Sequence, residues 1–187
     1  MAEPDPLELD LSLDSGFDPE LVGVDSKCWE ADIRAWLSSL RCDPNAACPD
    51  AVRQAEEISL GLRFTDDASI AELNESWRQR SGPTDVLSFA ALDDLPEDLA
   101  LPSLELGDIV ISVETARRQA GEHGHSLLHE LRWLLSHGLL HLLGWDHPDD
   151  NALAAMLQQQ EHLLDIGHNI QSRKPTPADS EDNRDAH

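Results

Sequence analysis

Three features of the sequence predict an α+β fold: a single domain in which a small mixed sheet of four strands is packed by helices around one central apolar helix. Strand-like and helical periodicities follow one another as strand, helix, strand, helix, strand, strand and then helices, with no internal repeat. That order suits one small sheet with helices against it. The stretch from Leu127 to Leu143 is apolar nearly all round, the pattern of a helix buried in the middle of a domain. A length of 187 residues suits one domain with a real core and short tails.

The elements follow in order. Residues 1–6 read as a disordered N-terminal extension. Leu7, Leu9, Leu11 and Leu13 alternate with acidic and polar residues, which predicts a half-buried strand. Ser15 to Asp25 is a loop. From Ser26 to Leu40, Trp29, Ile33, Trp36, Leu37 and Leu40 recur at helical spacing. Cys42 to Asp50 holds two prolines and reads as a loop, and Ala51 to Glu56 as a short helical piece. Ile58, Leu60, Leu62 and Phe64 alternate again as a second strand. Asp66-Asp67 stands where a helix is capped. Ile70, Leu73, Asn74 and Trp77 mark one face of that helix, which ends near Arg80 where Ser81-Gly82-Pro83 breaks it. Val86 to Phe89 is a third strand, Asp93 to Ser103 a polar, proline-containing loop, and Leu106 to Val113 a fourth strand. Glu114 to Glu122 reads as a helix stopped near Gly121 or Gly124. Ser126 caps the apolar helix, and Leu153, Met156, Leu157, Leu163 and Leu164 mark the last one. The polar, charged remainder is a disordered acidic tail. The domain is set at residues 7–170 and the tail at 171–187.

Composition narrows the function classes. No apolar run approaches the ~20 residues of a membrane span, and the acidic N-terminus does not resemble a signal peptide. Cys28, Cys42 and Cys48 are odd in number and lack zinc-knuckle spacing, as expected of free thiols in a reducing compartment. A soluble, cytoplasmic protein with no membrane partner is the expectation. The net charge of −24 repels phosphate backbones overall. The acidic residues are concentrated near the N-terminus, at Asp93 to Asp98 and in the tail, which leaves room for a local positive patch.

The apolar helix carries the chemistry, in His137-Gly138-Leu139-Leu140-His141-Leu142-Leu143-Gly144-Trp145-Asp146-His147. Histidines four apart stack on one helix face. Gly144 suits a left-handed helix end, after which the chain turns back and brings His147 to the same point; Pro148 discourages continuation. Three histidines with no fourth protein ligand match a catalytic rather than a structural zinc site. Such a site leaves a position for water, whose pKa zinc lowers to about 7. The central helix is therefore read as metal-binding, with one Zn2+ per chain on His137, His141 and His147, and metal-assisted hydrolysis is expected. The spacing is also that of metzincin peptidases, but those place Glu directly after the first histidine, where this chain has Gly138.

The same motif resembles the signature of the YbeY family of rRNA maturation factors. Upstream blocks resemble it too: Leu73-Asn74 with Trp77-Arg78, Pro83-Thr84-Asp85-Val86-Leu87-Ser88-Phe89, and Gly107-Asp108-Ile109. The resemblance covers roughly residues 55 to 165. It implies a metal-dependent endoribonuclease directed at single-stranded RNA, acting in rRNA processing, including the small-subunit 3′ end, and in ribosome quality control. It implies zinc on the three histidines, and the glycine in place of the peptidase Glu is the family's own pattern. Partners expected on this reading are rRNA and ribosomal particles, with a ribosomal protein or a GTPase as further possibilities; the oligomeric state is left open.

Arg78 and His137 are the candidate catalytic residues, Arg78 because a guanidinium fork fits a phosphate and stays charged. Asp146 either accepts from a ligand imidazole or caps the turn. Asp85 and Asp108 are weaker base or supporting candidates, with a structural hydrogen bond favoured for each. His123, His125 and His129 are read as surface or capping residues rather than ligands, as are His162, His168 and His187. Trp29, Trp36, Trp77 and Trp133 are expected in the core, while Trp145 lines the cleft if it stacks on a base. Two alternatives stand beside this reading: a metallopeptidase-like hydrolase, and a non-catalytic ribosome-assembly factor whose zinc is structural.

Overall fold

The alternating stretches form four strands, β1 (Glu8–Ser15), β2 (Glu57–Thr65), β3 (Val86–Ala90) and β4 (Ser103–Ser112). The structure is a computed structural model and describes residues 7–15, 24–96 and 101–171. Among the described residues there are six α-helices: α1 (Ser26–Cys42), α2 (Asp50–Gln54), α3 (Asp67–Arg78), α4 (Val113–His123), α5 (Leu127–Leu142) and α6 (Asp150–Gln171). The fold is the expected α+β one, with a four-stranded mixed sheet. Helix α6 runs through Gln171, the first residue of the expected tail; the rest of that tail, the extension at residues 1–6 and most of the loop after β1 lie outside the described residues.

The sheet order is β1-β2-β4-β3, with β1, β2 and β4 parallel and β3 antiparallel to β4. On one face, Ile58, Leu60, Leu62 and Phe64 of β2 join Trp29, Ile33, Trp36 and Leu37 of α1 and the leucines of α5 in the main core. Leu131, Leu135, Leu139, Leu140 and Leu142 have no exposed surface, and each such burial is worth about 1.5–3 kcal/mol. On the opposite face, α3 covers a smaller cluster of Ile70, Leu87 and Val110.

Strand β4 begins three residues earlier than its alternation suggested, because its pattern changes phase. Leu104, Leu106, Ile109 and Ile111 all reach the main core, yet Leu106 and Ile109 are an odd number apart. An extra residue on β4, between the pairs Ser59↔Glu105 and Gly61↔Asp108, resets the phase. Gly107 sits in this bulge at φ +118, where an added Cβ would lie 1.9 Å from the Phe89 carbonyl oxygen, so only glycine fits. The bulge carries Ile109 to the α5 side and Asp108 to the α3 side. Val113, expected to end β4, opens α4 instead, because Ser112 Oγ caps it by accepting from Thr115 N. Gly124, at φ +74, ends α4, and Gly121 lies within the helix.

Two of the polar contacts that join helices pair a carboxylate with a guanidinium. Asp67 accepts from Ser112 Oγ and Thr115 Oγ1 at 2.6 Å each and from Arg118 at 2.8 Å, tying the start of α3 to that of α4. Burial alone would raise the Asp67 pKa, but these three donors outweigh it and hold the group below the ordinary carboxylate range. Between α1 and α5, Arg132 donates to Asp32 at 2.8 Å with both residues buried. Trp77 corrects an expectation: it is 69% exposed and stands edge-on to Phe89, because α3 meets the sheet chiefly through Ile70 and Leu73 and Trp77 instead lines an open groove above Gly61 and Asp108. The three cysteines are free thiols.

Candidate metal centre

Helix α5 packs on the sheet through Gly138. An added Cβ there would lie 2.8 Å from Ile109 Cγ2 and 3.2 Å from Ser88 Oγ, so there is no space for a side chain. The glutamate of a metzincin at this position is excluded by packing. His137, one residue earlier and about 100° round the helix, lines a cleft beside Val86, Ser88 and Ala90 of β3, and His141 stacks one turn later on the same face.

The helix ends where the sequence suggested. Gly144 adopts φ +89, its N–H donates to His141 O, and the Trp145 N–H reaches back to Leu140 O, both at 3.0 Å. This double capping is the glycine-ended helix terminus that satisfies the last carbonyls. Trp145 Nε1 then donates to Ala47 O at 2.7 Å, fastening the turn to the loop after α1. That loop is itself gathered by the Arg53 guanidinium, which donates to the Asp43, Ala46 and Cys48 carbonyls. The expected third histidine arrives by this route.

The nitrogens converge. His137 Nε2 and His141 Nε2 are 3.0 Å apart, and one donor atom from each of His137, His141 and His147 lies within 4.8 Å of the others. Donors about 2.0 Å from a tetrahedral ion stand roughly 3.3 Å from one another, so a small contraction would seat a divalent ion. The proton positions favour this. Gln160, fully buried on α6, donates Nε2 to Trp133 O at 3.2 Å and turns Oε1 to His137 Nδ1 at 3.1 Å. Nδ1 must therefore carry the proton, which leaves the Nε2 lone pair facing His141. Burial lowers the pKa of His137 and of His141, and each is lowered further by a histidine neighbour. Neutral imidazoles are the form that binds a metal.

These histidines floor a cleft of about 750 Å³. Arg78 and Arg80 stand at its lip, and Asp85, Asp93, Asp146 and Trp145 also line it. The arginines are placed by the end of α3. Gln79 takes a left-handed φ of +54, Arg80 N donates to Asn74 O, and the buried Asn74 amide donates to Gly82 O at 2.9 Å. Arg78 makes one weak contact, to Ser88 O at 3.4 Å, so its fork is available. Two guanidiniums face three carboxylates in the lining, so the cleft gains a positive excess only with a divalent ion on the histidines.

The remaining candidates divide. Asp146 caps the turn, accepting from His147 N at 2.8 Å, and the acceptor for a ligand imidazole is Gln160. Asp85 accepts from Val86 N and Gln119 Nε2, a structural role at the cleft wall. Asp108 is not in the cleft: the bulge puts it on the α3 side of the sheet, over Gly61. Gln160 and Arg80 were missed. For Gln160 the signal was a polar residue on the stripe Met156, Gln160, Leu163, Leu164 of an otherwise apolar helix face.

A family model described as Endoribonuclease YbeY matches residues 27–167. The chain is 54% identical over 186 residues to the protein named Endoribonuclease YbeY of Parasynechococcus marenigrum (strain WH8102), covering 97% of this chain and 100% of that one. It is 61% identical over 144 residues to the protein of that name from Synechococcus sp. (strain CC9311), covering 77% and 81%. Among solved structures, the solution structure of TM1509 from Thermotoga maritima superposes with a TM-score of 0.52 at 20% sequence identity, covering 92% of this chain and 99% of that chain. At that identity the likeness shows a shared fold.

Proposed function

The chain belongs to the endoribonuclease YbeY family, and from that membership we propose that it is a zinc-dependent, single-strand-specific endoribonuclease of rRNA maturation, acting at the small-subunit rRNA 3′ end and in ribosome quality control. The observation that carries the reading is the convergence of three imidazoles beneath two arginines in one cleft. His137, His141 and His147 would hold the ion. Bound zinc supplies Lewis-acid polarisation of the scissile phosphate and an acidified water. Arg78 and Arg80 orient the phosphate and neutralise charge developing on its oxygens. Gln160 keeps His137 in the tautomer that donates its lone pair. Trp145, anchored at Ala47, gives the cleft a rigid aromatic wall against which an unstacked base can lie.

The net charge of −24 limits the interaction to this cleft, so few phosphates are contacted and the salt dependence of binding is shallow. Ribosomal particles, with a ribosomal protein or GTPase, would supply the remaining affinity. No helix among the described residues is long and apolar enough to cross a membrane, and we place the activity in the cytoplasm. The peptidase alternative loses support because Gly138 has no room for a base.

The test is cleavage of rRNA precursors and of matched single-stranded and duplex RNAs by the untagged full-length protein. A His141→Ala variant and a chelator serve as controls. Single strands cut and duplexes spared, with both controls inactive, is the expected result. Cleavage that survives both controls would point to a contaminating nuclease. Absence of cleavage on RNA and on ribosomal particles alike would favour a non-catalytic assembly factor.

A further inference from the structure

At the opposite end of α5 a second group of metal-ligating side chains meets. Helix α4 ends at His123, Gly124 takes the left-handed conformation, and Ser126 caps α5. This tight corner folds His123 and His125 back over Glu130, in the first turn of α5. His125 Nε2 lies 3.0 Å from Glu130 Oε2, and His123 Nδ1 lies 3.5 Å from the same oxygen. One donor atom from each of His123, His125 and Glu130 lies within 4.8 Å of the others.

Glu130 is only 2% exposed, and no lysine or arginine pairs with it among the described residues. A carboxylate removed from water needs a cationic partner. The separations of 3.0 and 3.5 Å bracket the roughly 3.3 Å expected between donors on a tetrahedral zinc. Two imidazoles and one carboxylate form a donor set suited to zinc and similar borderline divalent ions.

We propose that His123, His125 and Glu130 form a second divalent metal site, of the zinc class, which pins the end of α4 to the start of α5 and neutralises the buried carboxylate. This reverses the expectation that these histidines only cap or face solvent. The site is not half of a two-metal catalytic pair. Glu130 and His137 are seven residues apart on one helix, about 10 Å along its axis, whereas cocatalytic ions sit about 3.5–4 Å apart. The second ion therefore has a holding role, and the reading is independent of what the first site does to RNA.

The experiment uses the full-length untagged protein, dialysed against chelator-buffered zinc and analysed for metal. Two equivalents per chain are expected. His123→Ala/His125→Ala should lose one and His141→Ala the other, and cobalt substitution should give a tetrahedral absorption band that each variant reduces by about half. The His123 side chain is 59% exposed, so the single His123→Ala variant preserves the fold. In the His141→Ala background zinc should still raise the melting temperature, and adding His123→Ala should abolish that rise. One equivalent in the unaltered protein, two retained by His123→Ala/His125→Ala, or a zinc-induced rise that survives in His123→Ala/His141→Ala would each overturn the proposal.

Discussion

Replacing Gln160 with leucine tests whether the second layer of the metal centre sets its affinity. Leucine keeps most of the volume but removes the acceptor for His137 Nδ1 at 3.1 Å and the donor to Trp133 O at 3.2 Å. His137 can then rotate or take the other tautomer, which puts a proton where the ion would sit. Loss of such an outer partner costs 10- to 100-fold in metal affinity, or about 1.4–2.8 kcal/mol at about 1.4 kcal/mol per tenfold. Trp133 O keeps Ser136 Oγ as a donor at 2.8 Å, so the buried ring nitrogen left unpaired is what adds about 1–3 kcal/mol of lost stability to the metal-free protein. The assay is zinc competition against a chromophoric chelator, with chemical denaturation of the metal-free protein alongside. Gln160→Glu is the control: its carboxylate still accepts from Nδ1–H, so it should hold zinc more tightly than the leucine variant. Zinc affinity for Gln160→Leu within twofold of the unaltered protein would refute the orienting role.

Three further outcomes follow from packing and charge. Gly138→Ala gains about 1 kcal/mol in helix propensity but pushes into Ile109, and overpacking costs about 1–3 kcal/mol. A net loss of about 1 kcal/mol is expected in denaturant melts. Ile109→Ala by itself empties a fully buried site at about 2–5 kcal/mol, and in that background Gly138→Ala should cost nothing or stabilise, as a double-mutant cycle would read. Arg132→Met leaves Asp32, 1% exposed, buried without its partner and should cost about 3–5 kcal/mol, whereas the double replacement with Asp32→Leu should recover most of it. Asp67→Asn should cost about 1–3 kcal/mol at neutral pH. Because the folded Asp67 pKa is depressed, this contribution is fully present above the unfolded value of about 3.9 and disappears as pH falls through the folded value. The gap between the Asp67→Asn variant and the unaltered protein should therefore close in acid; a gap that widens there would contradict the assignment.

Local signals made much of this legible from sequence. The His-x3-His spacing and Gly144 are consequences of helix geometry over eleven residues, so the chain segment alone specifies them. Local patterning likewise placed the four strands and six α-helices of the described residues, but not the 3-10 turn at Leu92–Asp94, which no periodicity marks. Long-range packing was not legible. The β4 bulge depends on pairing with β2 and β3, so neither the early start of β4 nor the outward turn of Asp108 could be read from β4 alone. Trp77 looked like a core residue because helical spacing cannot say whether a second layer covers the groove that the side chain lines. Gln160 serves His137 from 23 residues away, and the buried Glu130 meets its histidines across a corner whose geometry only the fold provides.

The central claim is that zinc on His137, His141 and His147 works with Arg78 to cut RNA, and the most direct test separates the two parts. Protein stripped of metal, reloaded and assayed on a single-stranded RNA should regain cleavage as the three-histidine site fills. Arg78→Glu should rebind the same amount of zinc and leave the RNA intact. Stripped protein that cuts as fast as reloaded protein, or an Arg78→Glu variant with undiminished cleavage, would contradict the account.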